Sequence, residues 1–197
     1  MELKYTQSAL LGEKLLLRKR ILSQRKALSE RQVAARGDKI FQNLFKIPSI
    51  VSKKKFLIYL PVNNEVDTTS IIKNLIRIKV DVFLPAFLSK KLGYAVSKFD
   101  DFESLVAGPM QILQPKRIEI VDIGFLDAAI IPGVAFDRRG VRLGYGKGVY
   151  DKLLKSFKGL KIGLAYDFQI VNELPKEEHD VTVDIVLGEN LLINKAT

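Results

Sequence analysis

Leu10, Leu11, Leu15, Leu17, Ile21 and Leu22 recur with a period near 3.6, and Lys14, Arg18, Lys19, Arg20 and Arg25 fall between them. That spacing predicts an amphipathic helix over about 8–26, with a basic, solvated face. Ser29-Glu-Arg-Gln32 is a capping-box pattern, in which a hydroxyl and an amide satisfy the free N–H groups of a helix start. A second helix is expected from there to about Phe45, ended by Pro48. Lys55–Leu60 is a short apolar run stopped by Pro61, hence a buried strand. Val62–Asp67 is a polar loop, after which Thr68 or Thr69 caps a helix carrying Ile71, Ile72, Leu75 and Ile76. Val80–Leu84 reads as a strand closed by Pro85. Tyr94–Phe99 alternates like a strand, and Met110–Leu113 reads as another. Leu126–Ile131, Lys161–Tyr166 and Val183–Leu187 complete the strands, and Val149, Leu153, Leu154 and Phe157 mark one face of a helix between them. Strands alternating with helices imply a mainly parallel sheet with helices on both faces. No repeat, low-complexity segment or linker breaks the pattern. The expectation is one α/β domain over 1–197, with a helical N-terminal arm over 1–48.

Composition narrows the chemistry. The chain has 197 residues, 47% apolar and 27% charged, the balance of an ordinary globular protein rather than a disordered or fibrous one. It has no cysteine, which removes disulfides, thiolate metal sites and a cysteine nucleophile. A single histidine, His179, makes a histidine-based triad unsuitable, and no catalysis is assigned to it. The longest charge-free run, Ser104–Pro115, is 12 residues and too short to span a membrane. The opening MELKYTQ lacks a charged-then-apolar leader pattern, so a cytoplasmic location and no membrane partner are expected. The net charge of +10 is uneven: residues 1–55 hold 14 Lys or Arg against 4 Asp or Glu, and the remainder is balanced. Such an arm is first a pair of solvated helix faces, next an attractor of a small polyanion such as a nucleotide, and last a nucleic-acid surface.

Four glycines fall within nine residues in Gly140-Val-Arg-Leu-Gly-Tyr-Gly-Lys-Gly148, after a buried strand and before a helix. In open α/β sheets the crevice beyond the carboxyl ends of the strands binds ligands. Glycines let a ligand approach the backbone N–H groups, and a helix N-terminus favours phosphate. Arg142 and Lys147 add positive charge, and Tyr145 a ring face. The loop is neither a P-loop nor a GxGxxG fingerprint, and alone it reads as an anion site or as a turn. Asp151 lies in the first turn of the following helix, where a carboxylate suits the dipole or a Mg²⁺ beside phosphates. Asp184 sits inside an apolar strand and needs a partner or a metal.

The stretch from Pro132 to Asp151, PGVAFDRRGVRLGYGKGVYD, resembles the signature of the 5-formyltetrahydrofolate cyclo-ligases, also called 5,10-methenyltetrahydrofolate synthetases. Lys14 to Arg18 resembles that family's Lys-x-x-x-Arg, Glu65-Val-Asp-Thr68 its loop after the first strand, and Leu174-Pro, His179-Asp180 and Val183-Asp184 its C-terminal segment. The resemblance implies ATP- and Mg²⁺-dependent conversion of 5-formyltetrahydrofolate to 5,10-methenyltetrahydrofolate through a phosphorylated formyl group. It places Lys14, Arg18 and the run Arg142, Leu143, Gly144, Tyr145, Gly146, Lys147, Gly148, Val149, Tyr150 on ATP. It makes Arg142, Lys147 and Tyr150 catalytic. Val62, Glu65, Asp67, Tyr145, Gly146, Lys147, Gly148 and Val149 would meet the folate, and Asp151 with Asp184 would hold Mg²⁺. Asp67 has a second reading as a helix cap. Val149 departs from the tyrosine frequent in the family at that position, which removes one ring. The expected partners are folate and ATP, with no nucleic acid, for a monomer or weak dimer. The rival readings are a fold relative that binds another phosphate ligand, and a nucleic-acid binder using the basic arm.

Overall fold

The computed structural model describes residues 7–177 and 180–195, with side chains from Leu11 onward; His179 therefore lies outside the described residues. Helices α1 (Gln7–Lys26) and α2 (Glu30–Leu44) form where their periodicity predicts, and the Ser29–Gln32 capping box is made in both directions. Pro48 does not end α2; it opens a further short helix, α3 (Pro48–Val51), where its missing N–H is no loss. Helix α4 (Thr69–Arg77) is capped by Asp67, whose Oδ1 accepts from the Thr69 N–H at 2.8 Å. The Thr68 hydroxyl instead donates to the Tyr59 carbonyl.

In chain order the described strands are β1 (Lys55–Leu57), β2 (Asp81–Ser89), β3 (Gly93–Phe99), β4 (Leu105–Ala107), β5 (Leu113–Pro115), β6 (Ile120–Val121), β7 (Ala128–Ile131), β8 (Ala135–Asp137), β9 (Arg142–Leu143), β10 (Leu160–Leu164), β11 (Ile170–Val171), β12 (Ile185–Leu187) and β13 (Leu192–Asn194). Eight form the main sheet in the order β13-β12-β10-β7-β1-β2-β3-β6. The five from β12 to β2 are mutually parallel, and antiparallel strands flank them on both sides. A second sheet, β11-β8-β9, and the hairpin β4-β5 stand apart from it.

Successive strand residues point to opposite faces, and the two faces bury different partners. Phe56, Ile58, Val82, Leu84, Ile130 and Ile162 pack with Ile40 and Leu44 of α2, Ile50 of α3 and Ile71, Ile72 and Leu75 of α4. Leu57, Phe83, Ala129, Ile131 and Val186 pack on the other side with Leu154 and Phe157. The expected arrangement, helices on both faces of a mainly parallel sheet, is therefore present. Each fully buried aliphatic chain contributes about 1.5–3 kcal/mol relative to exposure.

Several element boundaries differ from those read in sequence; β1, for one, ends at Leu57 rather than Leu60. Strand β2 continues through Pro85 to Ser89. The Phe83 carbonyl accepts from the Ile58 N–H, so Pro85, two residues on, faces the same side, beyond the end of β1; its missing N–H breaks no ladder bond. Met110–Leu113 is not a strand: Pro109–Gln111 form a single tight turn between β4 and β5, with Met110 and Gln111 at φ of 57° and 60°. Helix α5 (Val149–Leu153) is only five residues long, and Asp184 precedes β12 rather than lying inside it.

Helix α1 overturns its predicted orientation. Leu11, Leu15 and Leu16 are exposed, while Lys14, Ile21 and Arg25 are buried. Ile21 packs with Val134, Ala135, Val141 and Leu143, which seats α1 against the small sheet. Of the basic residues, Lys14 and Arg25 are buried and Arg18 half-buried, while Lys19, Arg20 and Lys26 stay exposed, so the solvated-face reading holds for only part of this helix.

Candidate active site

A cavity of about 860 Å³ opens at the carboxyl edge of the parallel strands. Its floor is the chain leaving β1 (Tyr59, Leu60), the second half of β2 (Leu84, Pro85) and Pro132 after β7. Lys14 and Arg18 of α1 form one wall, the loop Gly144–Gly148 another, and the turn Pro109–Leu113 a third. This is the crevice where open α/β sheets bind ligands.

The expected glycine-rich loop turns out to have two parts. Gly140 closes the hairpin between β8 and β9 at φ +76°, and a Cβ there would lie 2.2 Å from the Val183 carbonyl, so it is a structural glycine. The buried Asp137 carboxylate fixes that turn by accepting from the N–H groups of Arg139, Val141 and Leu174. Strand β9 then delivers Arg142 and Leu143 to the cavity, and Gly144–Gly148 runs along its wall to Gly148, the left-handed N-cap of α5 at φ +62°.

Arg142 is buried. Its Nη2 donates to Asp151 Oδ1 at 2.7 Å and its Nη1 to the Pro132 carbonyl, while its Nε is buried without a partner among the described residues. A buried guanidinium with an unused donor is an anion-seeking group. Lys147 is exposed at the cavity mouth against the Met110 thioether. Tyr150 and Val149 begin α5 and line the cavity. Burial, with the Glu65 charge next in weight, raises the Tyr150 hydroxyl far above its ordinary value and keeps it neutral.

Lys14 donates to Glu177 Oε1 at 2.8 Å and to Asp180 Oδ2 at 2.9 Å. Burial works to lower its pKa, but the two carboxylates outweigh burial and hold it above its ordinary value. Arg18 Nε donates to the Gly144 carbonyl at 2.8 Å, tying α1 to the glycine loop.

Of the acidic loop, Glu65 and Val62 line the cavity. Glu65 is buried; its Oε1 accepts from the Tyr145 hydroxyl at 2.8 Å and its Oε2 from the Val62 N–H at 3.1 Å. Asp67 does not line the cavity: it caps α4, the second of its two readings. Asp184 is also elsewhere. It sits at the amino-terminal edge of β10 and β12, accepting from the Lys161 N–H at 2.8 Å with Lys161 Nζ at 3.3 Å. Asp151 is in the cavity wall, so the structure does not bring the two expected magnesium ligands together there. No cluster of three metal-ligating side chains occurs among the described residues.

Arg25 escaped the sequence reading. It is buried under the loop, donating to the Asn63 carbonyl and to the Tyr145 hydroxyl. Its signal was its spacing: positions 14, 18, 21 and 25 share one helical face. Tyr59, Tyr94 and Gln114 also line the cavity and carried no motif.

The 5-formyltetrahydrofolate cyclo-ligase family model matches residues 11–189. The solved structure of the 5,10-methenyltetrahydrofolate synthetase of Aquifex aeolicus matches with a TM-score of 0.84 and 34% identity, covering 93% of both chains. That of Mycoplasma pneumoniae gives 0.72 and 26%, covering 90% of this chain and 99% of that one. The 5-formyltetrahydrofolate cyclo-ligase of Escherichia coli (strain K12) is 31% identical over 157 residues, spanning 77% of this chain and 86% of its own. That of Saccharomyces cerevisiae is 30% identical across 91% and 97%. The glycine loop, the acidic loop and the Lys14–Arg18 pair all fall inside the matched span, and the chain belongs to the 5-formyltetrahydrofolate cyclo-ligase family.

Proposed function

We propose that this chain converts 5-formyltetrahydrofolate to 5,10-methenyltetrahydrofolate with ATP and Mg²⁺, releasing ADP and phosphate. The observation that carries the reading is that a single cavity is walled by Lys14 and Arg18, the loop Arg142–Tyr150, and Glu65. Cationic and backbone donors suit phosphates; a carboxylate suits the amino and ring N–H donors of a pterin.

A formamide oxygen is a poor leaving group. In the proposed reaction it attacks the γ-phosphorus and ADP leaves. N10 then attacks the formyl carbon and loses its proton, and phosphate departs with the former formyl oxygen as the ring closes. No nucleophilic side chain is needed; the protein positions the reactants and stabilises charge. Lys147 and the free Nε of Arg142 neutralise the transferring phosphoryl group. Tyr150, held neutral, keeps a hydroxyl donor beside it. Glu65 and Val62 orient the pterin.

The donor set fits ATP. It fits Mg²⁺ at Asp151, a single carboxylate beside phosphates being an ordinary magnesium arrangement. Asp184, at the amino-terminal edge of β10 and β12 and away from the cavity, does not fit as a second ligand. When bound, the ion would supply charge neutralisation between phosphates.

The test mixes protein, 5-formyltetrahydrofolate, Mg²⁺ and ATP and follows the near-ultraviolet absorbance of the methenyl product. A rise that requires all four components, and is lost in Lys147→Ala and Asp151→Asn, supports the reading. A folded protein that binds ATP without producing the rise overturns it in favour of another phosphate-ligand enzyme.

A further inference from the structure

Arg25 lies in the last turns of α1, outside every motif, and is 1% exposed. A buried guanidinium is costly unless paired and hydrogen-bonded. Nε donates to the Asn63 carbonyl at 2.9 Å, Nη2 donates to the Tyr145 hydroxyl, and Nη1 stands 3.8 Å from Glu65 Oε1 with no hydrogen-bond partner among the described residues. Among the described residues Arg25 is the one cation within ion-pair distance of Glu65. The other titratable groups facing that carboxylate are phenols, Tyr145 from the glycine loop, Tyr59 after β1 and Tyr150 of α5, and a fourth, Tyr166 after β10, donates to the Glu65 backbone carbonyl. Burial raises all four, Tyr166 to about 12, so none changes charge near neutrality.

We propose that Arg25 is a positioning residue, whose buried guanidinium fixes Glu65 as an anion turned into the cavity, in the state that accepts the N–H donors of the folate. The proposal rests on the assignment of Glu65 to the folate made above. Burial holds Glu65 above its ordinary value, and Arg25 is first among the groups that limit that rise, followed by the Tyr145 hydroxyl and the Val62 N–H. The same guanidinium grips Tyr145 and the Asn63 carbonyl, so one side chain of α1 aligns the acidic loop with the glycine loop.

Replacing Arg25 by Met keeps most of the stem and removes the charge. Glu65 then protonates at higher pH, and a protonated carboxyl no longer accepts two donors. Below that midpoint the KM for folate rises about tenfold per pH unit, whereas a merely structural loss would be flat with pH.

The deciding experiment is a carbon-13 carboxyl titration of Glu65 in the folded protein, its signal assigned with Glu65→Gln. It is paired with KM and kcat between pH 5.5 and 8.5 for wild type, Arg25→Met and Arg25→Lys. The expected result is a Glu65 midpoint about one unit or more higher in Arg25→Met, largely restored in Arg25→Lys. Folate KM should track that midpoint while kcat changes less than about threefold. An unmoved midpoint, or an equal and pH-independent loss in KM and kcat, overturns the proposal. Should Arg25→Met fail to fold, Arg25→Gln carries the test: it keeps a hydrogen-bonding head without the charge, so the Glu65 midpoint rises by about one unit or more and folate KM rises with it below that midpoint. An unchanged KM overturns it. If the wild type forms no methenyl product, the proposed function falls, while the titration still reads whether Arg25 sets the charge on Glu65.

Discussion

Helices α1 and α2 adjoin in sequence and share the basic arm, yet they face the protein in opposite chemical senses. Helix α2 buries Ile40 and Leu44 against the main sheet and turns its charges outward, apart from Arg36, which pairs with Glu189. Helix α1 buries Lys14 and Arg25 and leaves Leu11, Leu15 and Leu16 exposed. The difference lies in what each helix covers. Helix α2 covers a sheet face lined with aliphatic side chains, so apolar contact decides its orientation. Helix α1 covers a cavity rich in carbonyl and carboxylate oxygens: Gly144, Asn63, Glu65, Glu177 and Asp180. There, cations are the complementary face.

The comparison is sharpened by substitutions on the two helices, taken from the largest expected effect downward. Ile40→Ala in α2 should lower unfolding stability by about 2–5 kcal/mol, measured by denaturant titration, and leave the activity of the folded fraction unchanged. Lys14→Met in α1 should raise the KM for ATP about tenfold to a hundredfold, equivalent to about 1.4–2.7 kcal/mol, with a smaller loss of stability. If instead it costs stability and spares KM, α1 is a scaffold helix like α2. Ser29→Ala removes a cap hydroxyl from α2 and should cost about 1 kcal/mol in melting experiments, without kinetic effect. Leu16→Gln on the exposed side of α1 should change stability by less than about 0.5 kcal/mol. A loss several times larger would mean that this leucine face is covered in solution.

The sheet was legible because its strands are short apolar runs between breakers, and the residues Phe56, Val82, Ile130 and Ile185 all fall inside predicted strands and in the core. Ser29 and Gln32 were legible because a cap is a local event. Pro85 misled because its effect depends on whether a neighbouring strand is still present, which only the fold decides. Arg142, Lys147 and Tyr145 were legible as a cluster inside one turn. Arg25 was not, because its partners Asn63, Glu65 and Tyr145 are distant in sequence and its own surroundings read as an ordinary basic helix. Asp67 carried two readings, and the nearest N–H groups settled it as a cap. Asp184 drew notice as a carboxylate in an apolar run, and its partner proved to be Lys161 of the neighbouring strand.

The arm is fastened by the far end of the chain. Lys14 meets Glu177 and Asp180 across 163 and 166 positions, Arg36 meets Glu189 across 153, and Asn43 donates to the Glu189 carbonyl. Synthesis proceeds from the amino terminus, and contacts so remote in sequence form slowly. On the ribosome, therefore, α1 and α2 are made before the residues that lock them. A nascent chain that stops short of Glu177 carries its glycine loop without the clasp on Lys14, and the cavity reaches its finished form only once Glu177 and Asp180 have been made.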